Sequence, residues 1–460
     1  MSRNFASVIL AAGEGTRMKS AYPKVLHSLG GRAMVGNVLD TTLRIGLDCQ
    51  VLVVGYAGDQ VKSYIQSVPA YRDVKIVFQE KRLGSGHAVL QSARVFAGYS
   101  GHVLVLCADV PLIRPETLRR FMTAHIQKKN TVTILTTAVD DPTGYGRIIR
   151  DGDRSVLKIT EEKDATTAER AVKEINSGIY CFEAKSLFKV LKRIKPDNRK
   201  KEYYLTDAVE LLREQGSRVG AVLCADSLEL QGVNNRQQLA EAGAELKRRK
   251  LNALMASGVT IIDPVSTWID DEARIGKDTI IHPGCIIQGH TRIGSDCVIG
   301  PYSLIKNSAL GAGVEVKASY VYDAVLGPKV RVGPFAHIRP KTTVAAGARI
   351  GNFVEIKKSR IGKNSKVSHL TYIGDTIMGA GINIGAGVIT CNYDGVKKHE
   401  TRIADGAFVG SNVNLVAPVR IGAGAVIAAG STITADVPPR ALSLARSRQI
   451  NKENWVKKQK

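Results

Sequence analysis

The chain has 460 residues, of which 44% are hydrophobic and 5% aromatic, and this length allows two or three domains with sizeable cores. Its 65 Lys and Arg against 42 Asp and Glu give a net charge of +23, which favours anionic partners such as nucleic acid, nucleotides, sugar phosphates or coenzyme A. The apolar runs are too short to span a membrane. The seven cysteines are scattered without metal-binding spacing, so we expect reduced thiols in a cytoplasmic protein.

Residues 1–235 alternate between short apolar runs and amphipathic stretches. The runs at 8–10, 51–54, 74–78 and 103–106 are rich in Val, Leu and Ile, which is typical of buried parallel strands. This pattern predicts an α/β doubly wound (Rossmann-like) sheet that binds its ligand at the carboxyl ends of the strands.

The first of these runs leads into L-A-A-G-E-G-T-R-M-K-S-A-Y-P-K, residues 10–24. A glycine-rich turn lets backbone N–H groups approach phosphate oxygens, although Gly13-Glu14-Gly15 alone matches neither the dinucleotide fingerprint nor the P-loop. The full string resembles the signature of sugar-nucleotide pyrophosphorylases, G-x-G-T-R followed by P-K. The resemblance implies that Arg17 and Lys24 are catalytic and neutralise phosphate charge. It also implies nucleotide contacts from Leu10, Ala11, Ala12, Gly13 and Lys24.

Further segments extend this resemblance to a uridyltransferase subfamily: Q-E-K-R-L-G-S-G-H-A (79–88), A-D-V-P-L (108–112), T-G-Y-G-R (143–147), T-E-E-K-D-A (160–165), N-S-G-I-Y (176–180) and G-V-N-N-R (232–236). By resemblance, Gln79 and the backbone of Gly84 and Ser85 touch the uracil of UTP. Asp109 and Asn234 would bind Mg²⁺, for which carboxylate and amide oxygens are suitable ligands. The contacts to N-acetylglucosamine would come from Gly146, Glu161 and Asn176.

Each of these polar residues also has a simpler interpretation. Asp109 could cap a turn, and Glu161 and Asn176 could be ordinary surface residues, but their order and spacing favour function. The chain departs from the pattern at Cys107-Ala108, where a known member has Tyr-Gly, and this departure concerns the pocket wall rather than the metal ligand. The implied reaction is attack of a sugar 1-phosphate oxygen on the α-phosphorus of UTP with release of pyrophosphate. Such a reaction depends on positioning and charge neutralisation and requires no protein nucleophile.

Residues 236–256 favour a long helix that connects two domains, 1–235 and 257–460. The cluster K-R-R-K at 247–250 is interpreted as a solvated face of this helix rather than a nucleic-acid patch. The C-terminal tail is also basic, and we expect it to be partly ordered with its final lysines solvated.

From Ile275 onward, aliphatic residues recur at every sixth position. The series runs through Ile275, Ile281, Ile287, Ile293, Ile299 and Ile305, and resumes in shifted phases up to Ile403, Val409, Leu415, Ile421, Ile427 and Ile433. Sandwich strands would alternate with period two, so the spacing predicts a parallel β-helix of stacked hexapeptide coils, about nine in number. The pattern resembles the left-handed hexapeptide-repeat acyltransferases, and left-handedness is carried over from that resemblance. The rhythm falters between Ile373 and Ile403, which predicts an inserted loop on the binding face.

The second half contains G-P-F-A-H-I-R-P, G-N-F-V-E-I-K-K, S-H-L-T-Y-I-G-D, N-I-G-A-G and C-N-Y-D-G. With the first half, these strings resemble the bacterial bifunctional family that joins N-acetylglucosamine-1-phosphate uridyltransferase to glucosamine-1-phosphate acetyltransferase. The resemblance makes His369 the general base and places Glu355 beside the amino sugar. The sugar-phosphate contacts would be Arg339, Lys357, Tyr372 and Asn383. The acetyl-CoA contacts would be Ala386, Asn392, Tyr393, Ser411, Ala429 and Arg446.

The chemistry of these residue types agrees with the assignment. Amine acetylation needs a base that titrates near neutral pH, as His does, and Arg and Lys suit a phosphate dianion. The resemblance also implies a homotrimer, in which the flat faces of the β-helix pack about a three-fold axis. Two alternatives remain open here: a single-function sugar pyrophosphorylase with a structural β-helix, and a protein that binds an anionic polymer. The second lacks any recognised nucleic-acid motif.

Overall fold

The computed structural model describes residues 4–153, 155–453 and 455–456. The chain divides into two compact units, Met1–Leu246 and Lys247–Lys460. The final lysines of the basic tail, predicted to be solvated, lie outside the described residues. Within the described part of the chain, no helix is both long enough and apolar enough to cross a membrane.

The first unit alternates strands and helices around one large sheet. Its strands are β1 Phe5–Ala11, β2 Ser28–Leu29, β3 Arg32–Ala33, β4 Cys49–Val54, β5 Lys75–Phe78, β6 His102–Cys107, β7 Val132–Ala138, β8 Arg147–Arg150, β9 Val156–Thr160, β10 Glu174–Glu183 and β11 Val219–Leu223. Its helices are α1 Met34–Ile45, α2 Gly58–Ser67, α3 Ser85–Gln91, α4 Pro115–Gln127, α5 Thr167–Arg170, α6 Ala184–Leu191, α7 Asp207–Glu214 and α8 Arg236–Ala256, the last of which contains the boundary between the units.

The large sheet has the strand order β11-β7-β10-β6-β1-β4-β5, with β8 and β9 attached to β10. β1 is parallel to β4 and β6, and β4 is parallel to β5, which confirms the four predicted parallel strands. β10 runs antiparallel to both β6 and β7, a feature that the apolar pattern did not predict. Leu10 pairs with Cys107, so β1 and β6 end side by side. The loops that carry Gly13 and Asp109 therefore leave the sheet at one edge.

Alternate residues of the parallel strands pack into different cores. Ile9 and Leu52 belong to one buried cluster, and Val8 and Val51 to another. Because both faces of β1, β4 and β6 are buried, their sequences are continuous apolar runs rather than alternating ones, whereas β5 at the end of the sheet is only partly buried.

The second unit is a parallel β-helix. Its strands β12 to β39 are Thr260–Ile261, Trp268–Ile269, Arg274–Ile275, Ile280–Ile281, Ile286–Gln288, Arg292–Ile293, Val298–Gly300, Leu304–Lys306, Ala309–Leu310, Glu315–Lys317, Tyr320–Tyr322, Ala324–Leu326, Arg331–Val332, His337–Ile338, Thr342–Val344, Arg349–Lys357, Arg360–Ile361, Lys366–Gly374, Thr376–Met378, Asn383–Ile384, Ile389–Cys391, Thr401–Ile403, Phe408–Val409, Asn414–Val416, Val419–Ile421, Val426–Ile427, Thr432–Ile433 and Leu442–Ser443. Nine of them stack into a single sheet from Arg274–Ile275 to Val419–Ile421, which agrees with the predicted nine coils.

The six-residue rhythm corresponds to stacked interior side chains. Parallel pairing aligns Ile281 with Ile299, Ile299 with Val316, and so on along the unit. These residues are buried in one continuous core that extends from Leu251 to Val437. Each coil covers the apolar side chains of the next, so stacking supplies the core that a single coil lacks.

The predicted interruption of the repeat is an inserted loop. It covers residues 392–400, between Ile389–Cys391 and Thr401–Ile403, and is braced by an antiparallel bridge between Tyr393 and Lys398. Asp394 accepts backbone hydrogen bonds from Val396 and Lys397 and pairs with His399 at 2.7 Å. The loop is therefore ordered by its own side chains.

The interpretation of K-R-R-K as a solvated face is wrong for its two lysines. Lys247 Nζ donates to the carbonyl oxygen of Val265 at 2.7 Å and lies 5.5 Å from the ring centroid of Trp268. Lys250 Nζ donates to the carbonyl oxygens of Asp271 and Ala273 at 2.9 and 2.7 Å. Both ammonium groups thus bind carbonyl groups of the first coil of the β-helix.

Candidate active sites

The glycine-rich turn after β1 brings two cations toward the end of β6. Gly15 has a φ of 69°, in the left-handed region, and a Cβ on it would lie 2.5 Å from Cβ of Lys24. Glycine is therefore required both by the backbone and by the close approach of Lys24. The ammonium of Lys24 contacts Asp109 Oδ2 at 2.5 Å and Asn234 Oδ1 at 3.2 Å. Arg17 Nη2 donates to the same Asn234 oxygen at 2.9 Å.

Asp109 and Asn234 come together although they are far apart in the chain. The backbone N–H of Val233 donates to the carbonyl oxygen of Asp109 at 2.8 Å, which joins the segment before α8 to the loop after β6. The two predicted metal ligands and the two predicted catalytic cations therefore form one cluster, Arg17, Lys24, Asp109 and Asn234.

A cavity of about 500 Å³ lies beside this cluster. Its wall contains several predicted nucleotide contacts, namely Leu10, Ala12, Gly13, Gln79, Gly84 and Ser85, together with Asp109. Ala11 is buried. Sequence reasoning missed Arg82, Glu14 and Glu202, which also line the cavity. Arg82 Nη1 pairs with Glu14 Oε2 at 2.5 Å.

The three residues predicted to hold the sugar are neighbours. A Cβ built on Gly146 would lie 3.5 Å from Cβ of Asn176 and 3.7 Å from Glu161 Oε1, so glycine keeps this space open. Asn176 Nδ2 donates to Tyr180 Oη at 2.7 Å, and the N–H of Gly178 donates to Asn176 Oδ1 at 3.1 Å. Burial raises the pKa of Glu161.

Asp207 is a titratable neighbour of this group that the sequence reasoning missed. Burial, and next the charge of Glu161, raise the pKa of Asp207 to about 6. In the sequence, Asp207 is marked only by its apolar surroundings in L-T-D-A-V, where Leu205 precedes it and the buried Ala208 and Val209 of α7 follow it. That signal does not distinguish a helix-capping carboxylate from a site residue.

The Cys107-Ala108 departure leaves an uncharged wall beside the phosphate cluster. Cys107 Sγ donates to the carbonyl oxygen of Gly178 at 3.6 Å. Burial, and next the charge of Asp109, raise the pKa of Cys107 to about 12. The thiol is therefore protonated at neutral pH and adds no negative charge near Asp109.

In the second unit, two long strands place the predicted sugar-phosphate residues on consecutive coils. Glu355 pairs in register with Tyr372, and Asn352 pairs with His369. Arg339, from the coil before, forms an ion pair with Glu355, with 2.6 Å between Nη1 and Oε1. Residues from three coils therefore meet on one side of the β-helix.

His369 is exposed, and Asn352 orients its ring. The Nδ1–H of His369 donates to Asn352 Oδ1 at 2.9 Å. A neutral imidazole that donates through Nδ1 has its basic lone pair on Nε2. The structure thus gives His369 the tautomer required of a proton acceptor at Nε2. Sequence reasoning missed Asn352, although it lies in the G-N-F-V-E-I-K-K string.

Three cations, Arg339, Lys357 and Lys398, lie close together near the coil that carries His369. The neighbouring Lys398, and also Arg339, lower the pKa of Lys357. Such a concentration of positive charge favours an anion. Lys398 belongs to the inserted loop and was also missed, although it lies three residues after C-N-Y-D-G. Asn383 pairs in register with Lys366, on the strand that carries His369.

The predicted acetyl-CoA residues lie at two corners of the coils. At the corner next to Leu370, the carbonyl oxygens of Ala386 and Ser411 accept bonds from Asn412 and Gly430 at 2.7 and 2.8 Å. A Cβ on Gly410 would lie 2.6 Å from the backbone N of Ala429, and one on Gly430 would lie 3.8 Å from Cδ of Arg446. Ala386, Ser411, Ala429 and Arg446 therefore follow one another along this corner.

Asn392 and Tyr393 lie at the next corner, in the inserted loop. Asn392 Nδ2 donates to Asp375 Oδ2 at 2.6 Å. Burial acts to raise the pKa of Asp375, but hydrogen bonds from Lys358 and Asn392 outweigh burial and hold it below its usual value. Tyr393 is exposed, and its hydroxyl donates to the carbonyl oxygen of Gly395.

Comparison with known proteins identifies both halves. The family model described as nucleotidyl transferase matches residues 6–270, and the bacterial transferase hexapeptide model matches 272–307, 323–358 and 400–435. Proteins named bifunctional protein GlmU are similar to the chain over nearly its whole length. The relative from Caldanaerobacter subterraneus is 52% identical, and the match covers 98% of this chain and 97% of the relative. The relative from Geotalea uraniireducens is 49% identical, and the match covers 99% of this chain and 100% of the relative. The chain belongs to the GlmU family.

Membership in the GlmU family confirms the predicted fold, a nucleotidyltransferase α/β sheet followed by a left-handed hexapeptide β-helix. It also confirms the prediction of a bifunctional enzyme with uridyltransferase and acetyltransferase activities. The alternatives of a single-function pyrophosphorylase and of a polymer-binding protein are set aside by the same comparison.

Proposed function

We propose that the protein makes UDP-N-acetylglucosamine in two steps. The second unit acetylates glucosamine 1-phosphate with acetyl-CoA, and the first unit transfers UMP from UTP to the resulting N-acetylglucosamine 1-phosphate and releases pyrophosphate. The observation that carries this proposal is that one GlmU-family chain contains two sites. The first is a cation–carboxylate cluster beside a nucleotide-sized cavity, and the second combines His369, oriented by Asn352, with a cluster of cations on neighbouring coils.

The residues of the first cluster suit Mg²⁺. Asp109 Oδ2 and Asn234 Oδ1 both lie within 3.2 Å of the Lys24 ammonium nitrogen, so a positive charge already lies between two hard oxygen donors. Asp109 and Asn234 would hold the ion, with the remaining ligands from substrate phosphates and water. When bound, it neutralises phosphate charge.

The first unit then acts by positioning and charge. Arg17 and Lys24 approach the phosphates and stabilise the charge that moves from the α-phosphorus to the leaving pyrophosphate. Lys24 must exchange its contact with Asp109 for phosphate oxygens. Gly146, Glu161 and Asn176 hold the sugar so that its 1-phosphate oxygen faces the α-phosphorus, which removes most of the entropic cost of a bimolecular reaction.

In the second unit, Arg339 and Lys357 bind the phosphate of glucosamine 1-phosphate, and Tyr372 and Asn383 complete the sugar contacts. His369 Nε2 accepts a proton from the amine as its nitrogen attacks the thioester carbonyl carbon. The C–N bond forms, the C–S bond breaks, and the departing coenzyme A thiolate takes up a proton. Asn352 orients the ring by accepting the Nδ1–H, so the basic lone pair of the neutral imidazole is on Nε2.

The coenzyme contacts and the assembly belong to the same proposal. Acetyl-CoA would contact Ala386, Asn392, Tyr393, Ser411, Ala429 and Arg446. These residues occupy two different corners of the coils. In a homotrimer, one subunit would supply the residues of the first corner and its neighbour those of the second, so that both groups contact the same acetyl-CoA. The seven free cysteines support a cytoplasmic location.

Two reciprocal variants test the two-site proposal. The protein is incubated with glucosamine 1-phosphate, acetyl-CoA, UTP and Mg²⁺, and the products are identified by mass. Asp109→Ala should abolish UDP-sugar formation and leave acetylation near the wild-type rate. His369→Ala should lower the acetylation kcat about a hundredfold or more and leave uridylyl transfer from added N-acetylglucosamine 1-phosphate unchanged. Equal loss of both activities in either folded variant would contradict separate sites.

A further inference from the structure

The imidazole of His87 lies between two glutamine amides at the nucleotide cavity. Gln79 Nε2 is 3.0 Å from His87 Nδ1 and donates to the carbonyl oxygen of Gly84 at 3.0 Å. On the other side, Gln91 Nε2 is 3.1 Å from His87 Nε2 and donates to the carbonyl oxygen of His87 at 3.0 Å. Gln79 and Gly84 line the cavity.

This arrangement determines which way the Gln79 amide points. The carbonyl oxygen of Gly84 can only accept, so the Gln79 atom facing it is the NH₂ group. Its second N–H points at His87 Nδ1, which accepts it when that nitrogen carries no proton. Both donors of Gln79 are then used, and Oε1 is left to accept a bond from a molecule in the cavity.

A neutral imidazole has one acceptor nitrogen and can serve only one of the two glutamines. Gln79 is 4% exposed, whereas Gln91 is half-buried. An unsatisfied donor costs more at the more deeply buried amide, so the acceptor nitrogen faces Gln79. Burial lowers the pKa of His87, which favours the neutral ring.

We propose that His87 is a positioning residue for base recognition, because its Nδ1 and the carbonyl oxygen of Gly84 together hold the Gln79 amide with Oε1 presented to the nucleobase. This inference rests on the proposed uridyltransferase function and names how the base is selected. Uracil presents an N3–H donor to Oε1. Cytosine has an unprotonated N3, which is an acceptor. Its lone pair would face the lone pair of Gln79 Oε1, so the two atoms would repel each other and Oε1 would receive no hydrogen bond. A site built around a hydrogen bond rejects an analogue that lacks it much more strongly than an apolar pocket does.

The test compares UTP with CTP in the full-length protein at saturating N-acetylglucosamine 1-phosphate and Mg²⁺. In His87→Leu the Gln79 amide loses one of its two acceptors and can rotate, so kcat/KM for UTP should fall while that for CTP rises or is unchanged. We expect the UTP-to-CTP ratio of kcat/KM to fall about tenfold or more, mainly through KM for UTP. His87→Asn offers an acceptor oxygen near the former Nδ1 and should restore most of the ratio.

Gln91→Leu is the matched control, because it removes the amide on the other side of the ring and leaves the contact with Gln79. Its UTP-to-CTP ratio should remain within about threefold of wild type. Thermal unfolding of each variant reports whether it is folded, and its acetyltransferase activity, which belongs to the second unit, should be unchanged.

Two results would overturn the inference: an unchanged ratio in folded His87→Leu, or a Gln91→Leu ratio that falls as far as that of His87→Leu. If wild type consumes neither nucleotide, the proposed function itself fails, and the two failures are therefore distinguishable.

Discussion

His125 makes the stability of the first unit sensitive to acid. It is fully buried in α4, with Nδ1 2.7 Å from Thr133 Oγ1 and Nε2 3.0 Å from His102 Nδ1. Burial, and next the neighbouring His102, lower the pKa of His125 to about 3. Burial also lowers the pKa of His102, while the charge of Glu183 acts to raise it.

The sign and size of the effect follow from linkage. A histidine in the unfolded chain titrates near pH 6.5. As the pH falls below that value, the unfolded chain binds a proton that folded His125 does not bind until about pH 3. Stability from this residue is therefore fully present above about pH 7 and is lost as the pH falls. Between about pH 7 and about pH 5 the loss is about 2 kcal/mol in the free energy of unfolding.

Hydrogen exchange measures this loss where it occurs. The two tryptophans, Trp268 and Trp455, both belong to the second unit, so tryptophan fluorescence does not report on β6 and β7. Exchange by mass spectrometry gives the opening free energy of peptides from those strands, after correction for the intrinsic exchange rate at each pH. His125→Gln removes the titrating group, and its loss of opening free energy between the two pH values should be about 2 kcal/mol smaller than that of wild type.

Wild type and His125→Gln contain the same carboxylates, so the contribution of these groups to the pH dependence cancels when the two proteins are compared. His290→Gln, at an exposed position of the second unit, should match wild type in these peptides. Equal loss of protection in His125→Gln and wild type between the two pH values would mean that His125 has the same pKa in the folded and unfolded chain. Burial would then not lower its pKa.

Three further results are expected. Asn352→Ala should lower acetylation kcat about tenfold with little change in KM, because His369 loses the acceptor that orients its ring, and an unchanged kcat would show that the orientation is unnecessary. Removing divalent cations with a chelator should stop UDP-sugar formation but not acetylation, and loss of both would place the metal requirement elsewhere. Sedimentation at assay concentration should give a trimer, and an active monomer would refute the shared coenzyme site.

Local pattern was sufficient for much of this fold. The six-residue period predicted the β-helix, its approximate nine coils and the inserted loop before Ile403, because each coil contacts only its neighbours and repeats the same packing problem. Likewise, four apolar runs predicted four parallel strands, of which β1, β4 and β6 are buried on both faces, whereas β5 at the end of the sheet is only partly buried. The roles of individual site residues came from resemblance to a known family, whose ordered motifs record contacts that spacing alone does not reveal.

Only the tertiary structure decided which side chains act together. Asp109 and Asn234 meet at Lys24 because the segment before α8 returns to the end of β6, and no local period encodes that return. Asn352 became the partner of His369 through the register of two stacked coils, and Lys398 became a neighbour of Lys357 through an inserted loop. Periodicity encodes nearest-neighbour packing, whereas a site is assembled by long-range chain returns, registers and buried amides such as Gln79, whose partners are set by the whole fold.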